Sequence, residues 1–180
     1  YSVLNSFLDL SKIVNFLDIN IIEFDNTEIY ISRSGYTGED GFEISISNEN
    51  AENFINKVFK NKNTLLCGLG CRDSLRVEAG LSLYGNEINE DITPIQANLS
   101  WAIDKKRLDD ENLNGSNILL QQLQETKDTV KIGITPVNKT MLRNNMTLHN
   151  MEKNEIGFIT SGCFSPTLKR SIGIGYINNF

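Results

Sequence analysis

The segment that decides the fold is Ser32–Glu43, whose sequence is SRSGYTGEDGFE. Two runs rich in β-forming residues precede it, Ile19–Phe24 and Glu28–Arg33, and a short Asp-Asn-Thr sequence joins them. Because Asp and Asn tolerate the backbone of a tight turn, these runs predict a β-hairpin. A third strand is expected after the segment, since apolar residues alternate from Phe42 to Ile46. The glycine-rich segment is therefore predicted to be a loop between two strands.

Helices are predicted before and after these strands in the sequence, where apolar residues recur at helical spacing. The predicted helices are Ser2–Asp18, Asn50–Lys60, Arg72–Leu81 and Ser116–Lys127, the last with Ser116 as its N-cap. Thr93 and Gln96 have the spacing of a capping box, with Pro94 between them, which predicts a further helix start. A short strand is predicted at Leu99–Ile103.

The pattern changes from Val130 onward to short alternating runs separated by Gly, Asn and Pro, which predicts β-strands. The predicted strands are Val130–Thr135, Met146–His149, Ile156–Thr160 and Ile172–Ile177. We therefore predict an α+β region over residues 1–127, followed by a small β-barrel or sandwich over residues 128–180. Four strands alone would leave open sheet edges, so this second domain is expected to be incomplete.

Composition excludes several classes of function. The 180 residues include 17 Lys and Arg against 23 Asp and Glu, a formal net charge of −6, which argues against a nucleic-acid partner. No apolar run approaches the roughly 20 residues that cross a bilayer, so no membrane partner is expected. Three cysteines and one histidine complete neither a disulfide framework nor a zinc site, and no metal is expected.

Three residues are candidates for ligand binding, and each has a simpler alternative. Glu43 points away from the apolar face of its strand, and is either a solvated charge or a carboxylate that accepts two parallel hydrogen bonds from a flat ligand. Arg72 either pairs with a nearby acidic residue on its helix or offers its fork of donors to a ligand. Tyr36 lies in a glycine loop, and is either a packing tyrosine or a ring that contacts a ligand.

Four blocks of this sequence together resemble the T-protein family of the glycine cleavage system. They are SRSGYTGEDGFEI at Ser32–Ile44, GLGCRDSLRVEAGLSLYGNEI at Gly68–Ile88, TPIQANLSWAI at Thr93–Ile103 and TSGCFSPTLKRSIGIGYI at Thr160–Ile177. The resemblance implies a ferredoxin-like-type folate-binding α+β region and a C-terminal β-barrel. It also implies that Tyr36, Glu43 and Arg72 line the folate site, with Glu43 accepting from the amino and ring N–H groups of the pterin.

The resemblance implies an aminomethyltransferase. Such an enzyme passes the methylene of an aminomethyl group on the lipoyl arm of H-protein to tetrahydrofolate, with release of ammonia. The essential aspartate of the family belongs to its N-terminal half, so no catalytic residue is expected in this chain, and the chain alone is expected to be inactive. Gln96 and Asn98 also depart from the Glu and Gly that the family often has there.

Two alternatives stay open. One is the folate-binding C-terminal region of an enzyme that oxidises dimethylglycine or sarcosine, and the other is a non-catalytic relative for iron–sulfur assembly.

Lys105–Arg107 is either a solvated face or a landing patch for an acidic carrier protein. The family implies a mitochondrial matrix location for a eukaryotic source and a cytoplasmic location for a bacterial one.

Overall fold

The computed structural model describes residues 1–108, 110, 113–125 and 129–178. The chain divides into two compact units, unit 1 (Tyr1–Arg72) and unit 2 (Asp73–Phe180). The predicted boundary between residues 127 and 128 falls outside the described residues and stays a prediction. The mixed α and β content, with an all-β segment at the end, is confirmed.

Unit 1 is built around an antiparallel three-stranded sheet in the order β1-β2-β3. Its elements are α1 (Ser2–Asn5), β1 (Ile19–Phe24), β2 (Thr27–Ser32), β3 (Glu43–Ser45) and α2 (Asn48–Val58), and α3 (Leu69–Glu78) begins in unit 1 and ends in unit 2. Asp25 and Asn26 form the two-residue turn between β1 and β2, and both have positive φ, 48° and 61°. These angles are those of the type I′ turn that tight hairpins favour, so the predicted hairpin is confirmed.

The alternation of side chains gives this sheet one buried and one exposed face. Ile29 and Ile31 of β2 are fully buried, and Phe54 of α2 packs in the same core. Ser32 and Glu43 are partners across β2 and β3. Since neighbouring residues of a strand point to opposite faces, both lie on the face away from the core. The outward direction predicted for Glu43 is confirmed.

Unit 2 contains an antiparallel sheet in the order β4-β7-β6-β5. Its described elements are 3₁₀ helices at Ser100–Ala102 and Lys105–Arg107, α4 (Ser116–Gln124), β4 (Thr129–Ile134), β5 (Thr147–His149), β6 (Glu155–Ser165) and β7 (Arg170–Asn178). Val77 of α3 packs with Ile172 and Ile174 of β7. Within the described part of the chain, no helix has the length and apolarity needed to cross a membrane.

The predicted helix Ser2–Asp18 is wrong beyond its first turn. Helix α1 ends at Asn5, and turns and irregular backbone follow. The carboxylate of Asp9 accepts a hydrogen bond from the backbone N–H of Ser11, and that of Asp18 accepts from the N–H groups of Val14 and Asn15. Such local bonds offer the backbone partners that a helix would otherwise supply. Leu8, Leu10 and Ile13 are buried without a helix, whereas Val14, Phe16 and Leu17 are exposed.

Three further predictions of local structure need correction. The capping box forms, because Thr93 N–H donates to Gln96 and Gln96 N–H donates to the Thr93 hydroxyl, yet only turns follow. Asn98 has a φ of 58°, which ends the right-handed coil after one turn, and the predicted strand Leu99–Ile103 is instead a 3₁₀ turn. The N-cap of α4 is Gly115, and Ser116 is the first helical residue. The predicted end of that helix at Lys127 lies outside the described residues.

Candidate functional site

The glycine-rich segment forms the β2–β3 loop, Arg33–Phe42, whose two ends are joined by an ion pair. Arg33 Nε and Nη2 donate to the two carboxylate oxygens of Asp40, at 2.8 and 3.0 Å. This bond with Arg33 lowers the pKa of Asp40, which keeps the carboxylate ionised. Gly38 has a φ of 77°, a conformation that a residue with a Cβ rarely adopts. The loop is thus fixed by one backbone requirement and one bidentate pair.

Tyr36 and Arg72 are brought together by the fold of unit 1. The guanidinium carbon of Arg72 lies 4.8 Å from the centroid of the Tyr36 ring, within the range of a cation–π contact. The expected alternative for Arg72 was a pair with an acidic neighbour on its helix. Asp73 instead accepts from Arg76, and Glu78 accepts from Ser165. Arg72 therefore joins α3 to the glycine loop, although 36 positions separate it from Tyr36.

Glu43 is exposed on the outward face of the sheet, at the start of β3. Its Oε2 accepts a hydrogen bond of 2.6 Å from the hydroxyl of Ser34, whose oxygen lies 2.7 Å from that of Ser32. The carboxylate is therefore open to solvent and at the same time oriented by a side chain of the loop. Neither of the two alternatives for Glu43 predicted this hydroxyl.

The arrangement combines a held carboxylate with an aromatic ring and a guanidinium. A carboxylate accepts from adjacent N–H donors, while an Arg stacked on a ring offers donors to an anionic or carbonyl-bearing group. Sequence reasoning missed Ser34, Arg33 and Asp40 as supports of these residues. Strand alternation gives no signal for Ser34, because β2 ends at Ser32 and the backbone bends at Arg33.

A second polar cluster lies inside unit 2 and was not predicted. We call it the Arg76–Glu87 network. Arg76, 1% exposed, donates to Glu87 at 2.7 Å, to Asp73 at 2.8 Å and to the hydroxyl of Ser161 at 2.7 Å. Glu87, fully buried, also accepts from Thr160 at 2.6 Å. The network thus connects α3 to strand β6, about 85 residues further along the chain.

The backbone completes this network. Leu83 N–H donates to Glu87 Oε2 at 2.9 Å, and the hydroxyl of Tyr176 donates to the Glu87 carbonyl at 2.7 Å. Burial opposes ionisation of Glu87, but its hydrogen bonds and the charge of Arg76 outweigh burial, so its pKa lies below the usual value. Burial and the Glu87 charge raise the pKa of Tyr176 to about 12. Among the described side chains, every buried polar atom has a partner, so the network suits a structural role.

Two cavities lined by described residues lie away from the predicted site residues. In unit 1 a cavity of about 400 Å³ is lined by Ser6, Phe7, Lys57, Lys60 and Asn61. In unit 2 a cavity of about 280 Å³ lies beside Lys131, whose ammonium already donates to Ser82 and to the Gly80 carbonyl. Within the described ranges, no three His, Cys, Asp or Glu side chains are grouped to hold a metal ion. The β2–β3 loop remains the better candidate site because its polar side chains face outward.

Comparison with known proteins shows what this chain is similar to. The profile of the GCVT N-terminal domain matches residues 2–107, and that of the glycine cleavage T-protein C-terminal barrel domain matches residues 127–179. A mitochondrial aminomethyltransferase of Flaveria anomala is 40% identical over 173 residues, which are 95% of this chain and 42% of that protein. The human mitochondrial aminomethyltransferase is 41% identical over 147 residues, covering 82% of this chain and 36% of that protein.

A solved structure agrees with these relatives. The chain superposes on glycine cleavage system aminomethyltransferase T from Bartonella henselae with a TM-score of 0.89 and 35% identity. The match covers 98% of this chain and 48% of that one. The chain therefore spans less than half the length of the relatives that it matches.

Proposed function

Because this chain belongs to the glycine cleavage T-protein family, we propose that it supplies the tetrahydrofolate-binding part of an aminomethyltransferase. The complete reaction transfers the methylene of the aminomethyl group on lipoylated H-protein to tetrahydrofolate and releases ammonia. Tetrahydrofolate is thus the acceptor substrate and H-protein the partner. We also propose that the folate-binding α+β region extends over residues 1–127 and the C-terminal barrel over residues 128–180.

One observation carries the proposal: the residues that the family resemblance assigns to folate all belong to unit 1 and are held there. Ser34 orients the carboxylate of Glu43 through a bond of 2.6 Å, and Arg72 lies 4.8 Å from the ring of Tyr36. The pterin of folate presents an amino group and a ring N–H side by side, which suits two parallel bonds to one carboxylate. The curated relatives are named aminomethyltransferases, which favours this function over the two alternatives.

The direct test is calorimetric titration of the 180-residue chain with tetrahydrofolate. Replacing Glu43 with Ala removes a charged acceptor, so Glu43→Ala is expected to weaken binding by about 2–3 kcal/mol, or roughly 30- to 150-fold. Glu39→Ala is the matched control, since it removes the same charge from an exposed position of the same loop. Equal losses in the two variants, or no binding by the unsubstituted chain, would contradict the proposal.

A second experiment concerns catalysis. We propose that this chain alone does not transfer the methylene, because the family's essential aspartate lies in the half that precedes these blocks. Aminomethyl-loaded H-protein, tetrahydrofolate and the chain are mixed, and ammonia release is followed with time. No release above the protein-free rate is expected, and release that depends on both the chain and tetrahydrofolate would show this part of the proposal to be wrong.

The names of the relatives indicate a cellular location for the eukaryotic members of the family. The plant, human and fission yeast relatives are named mitochondrial. We propose the mitochondrial matrix for this protein if its source is eukaryotic and the cytoplasm if its source is bacterial.

A further inference from the structure

Three side chains on the outward face of unit 1 form an ordered chain of hydrogen bonds. The hydroxyl of Ser34 donates to Glu43 Oε2 at 2.6 Å, and the oxygens of Ser32 and Ser34 lie 2.7 Å apart. A serine has one hydroxyl hydrogen, and that of Ser34 points to the carboxylate. Ser32 is therefore the donor in the second bond, and both hydroxyl dipoles point towards Glu43.

The backbone brings these three residues together. Ser32 and Glu43 are directly opposed in the β2–β3 register, and Ser34 follows two positions after Ser32. The backbone bends at Arg33, after the end of β2, and the bond from the Ser34 hydroxyl to Glu43 shows that Ser34 nevertheless faces the carboxylate. The bidentate pair joins Arg33, which precedes Ser34, to Asp40 near the other end of the loop. The contact is thus determined by the sheet register and the closed loop.

We propose that Ser34 is a positioning residue that selects the carboxylate orientation in which Glu43 binds the pterin. This inference rests on the proposed function. A bond of 2.6 Å between a hydroxyl and a carboxylate is in the range of charge-assisted hydrogen bonds. It occupies one of the two acceptor positions of Oε2, and so leaves one on Oε2 and both on Oε1, which is enough for two parallel N–H donors.

The bond also reduces the entropic cost of binding. An exposed glutamate samples several rotamers in solution, and a ligand that needs one of them must immobilise the side chain. Glu43 is exposed but already held by Ser34. Binding therefore starts from a preorganised carboxylate, and the benefit is largest for a ligand that uses both carboxylate oxygens.

The test compares Ser34→Ala, Ser34→Thr and the control Ser45→Ala by calorimetric titration with tetrahydrofolate. Ser45 lies on the same strand as Glu43, two residues on, and is also exposed. Ser34→Ala is expected to weaken binding about fivefold to tenfold, whereas Ser34→Thr, which keeps the hydroxyl, and Ser45→Ala stay within about twofold. Far-UV circular dichroism of each variant checks that the fold is unchanged.

Two further measurements separate positioning from a general structural effect. Ser34→Ala placed in the Glu43→Ala background is expected to weaken binding no further, because Ser34 acts through Glu43. With a tetrahydrofolate analogue that lacks the 2-amino group, the effect of Ser34→Ala is expected to shrink to less than about twofold, since one of the two donors is missing. Equal losses for both ligands, or additive losses in the double variant, would overturn the inference.

The outcomes also distinguish this inference from the proposed function. If Glu43→Ala weakens binding and Ser34→Ala does not, the positioning role is wrong and the folate site stands. If Glu43→Ala itself has no effect, the proposed folate site fails, and the role of Ser34 fails with it.

Discussion

The β2–β3 loop of unit 1 and the Arg76–Glu87 network of unit 2 are made of the same kinds of side chain in opposite surroundings. In the loop, Glu43 is exposed, and the hydroxyl of Ser34 bonds to its Oε2. In the network, Glu87 is fully buried and accepts from Arg76, Thr160 and a backbone N–H. One carboxylate therefore retains acceptor capacity for a ligand, and the other has used it within the protein.

This difference predicts which property each region controls. Breaking a buried pair by removing one partner leaves an uncompensated charge, which costs about 3–5 kcal/mol of stability. Exposed pairs are screened by solvent and contribute little. Substitutions in the network are therefore expected to change stability, and substitutions in the loop to change ligand binding.

The largest effect is expected for Arg76→Met. The substitution keeps an unbranched side chain but leaves Glu87 buried without its cation, so the free energy of unfolding is expected to fall by about 3–5 kcal/mol. Urea unfolding followed by far-UV circular dichroism measures this change.

Arg72→Met is the matched control for this prediction, because it makes the same change one helical turn earlier at an exposed position. The contact that the structure describes for its side chain is the one with the Tyr36 ring, so a change below about 1 kcal/mol is expected. Similar losses in the two variants would remove the distinction between the two regions.

A smaller loss in the free energy of unfolding is expected at alkaline pH, where Tyr176 ionises. Because its pKa is raised to about 12 in the fold, its stabilising contribution is complete below its ordinary value near 10 and is lost as pH rises towards 12. The loss at pH 12 is expected to be roughly 2 kcal/mol. Urea unfolding at pH 9 and pH 11.5 measures it, and Tyr176→Phe is expected to show a shallower decline over this interval.

Tyr30→Phe serves as the control for the alkaline decline, since Tyr30 is 53% exposed. This variant is expected to decline as steeply as the unsubstituted chain. A decline in Tyr176→Phe as steep as that of Tyr30→Phe would mean that the buried hydroxyl does not contribute to the pH dependence.

The sequence predicted the parts of the fold that depend on local pattern. The β1–β2 hairpin follows from strand alternation around Asp25 and Asn26, and both adopt the positive φ that their short polar side chains tolerate. The outward direction of Glu43 follows from the same alternation. The predictions of local structure were wrong where side chains compete with a helix for the hydrogen bonds of the backbone, or where the backbone turns into the left-handed region. Asp9 and Asp18 bond the backbone of the predicted first helix, and Asn98 ends the turn after the capping box.

The buried network and the contacts of the candidate site were harder to predict, because both depend on contacts between residues distant in sequence. Arg76 reaches Ser161 across 85 positions, and no periodicity within α3 indicates that partner. Arg72 and Tyr36 were each predicted as ligand contacts, but their contact with each other requires the fold of unit 1. The sheet register is an intermediate case. Once the pairing of β2 with β3 is assumed, Ser32 is expected beside Glu43, but Ser34 lies beyond the end of β2 and is not indicated.

The smallest effect on stability is expected for Asp40→Asn, which removes the charge from the ion pair that closes the β2–β3 loop. Both partners are partly exposed, with 53% of the Asp40 side chain accessible, so solvent already screens the pair. The free energy of unfolding is expected to stay within the error of linear extrapolation, about 10–15%. Tetrahydrofolate binding is expected to weaken about twofold to threefold, because Arg33 no longer fixes the loop that orients Tyr36 and Ser34.

Asp25→Asn tests whether that effect comes from the loop. It removes the charge from another exposed pair of unit 1, with Lys57, in the β1–β2 turn. A similarly small change in stability is expected, with no change in tetrahydrofolate affinity. If Asp40→Asn destabilised the protein as much as Arg76→Met, the loop would be a structural element like the buried network. Because Asp40 is exposed and Arg76 is not, we expect the two variants to separate, with Asp40→Asn affecting binding and Arg76→Met affecting folding.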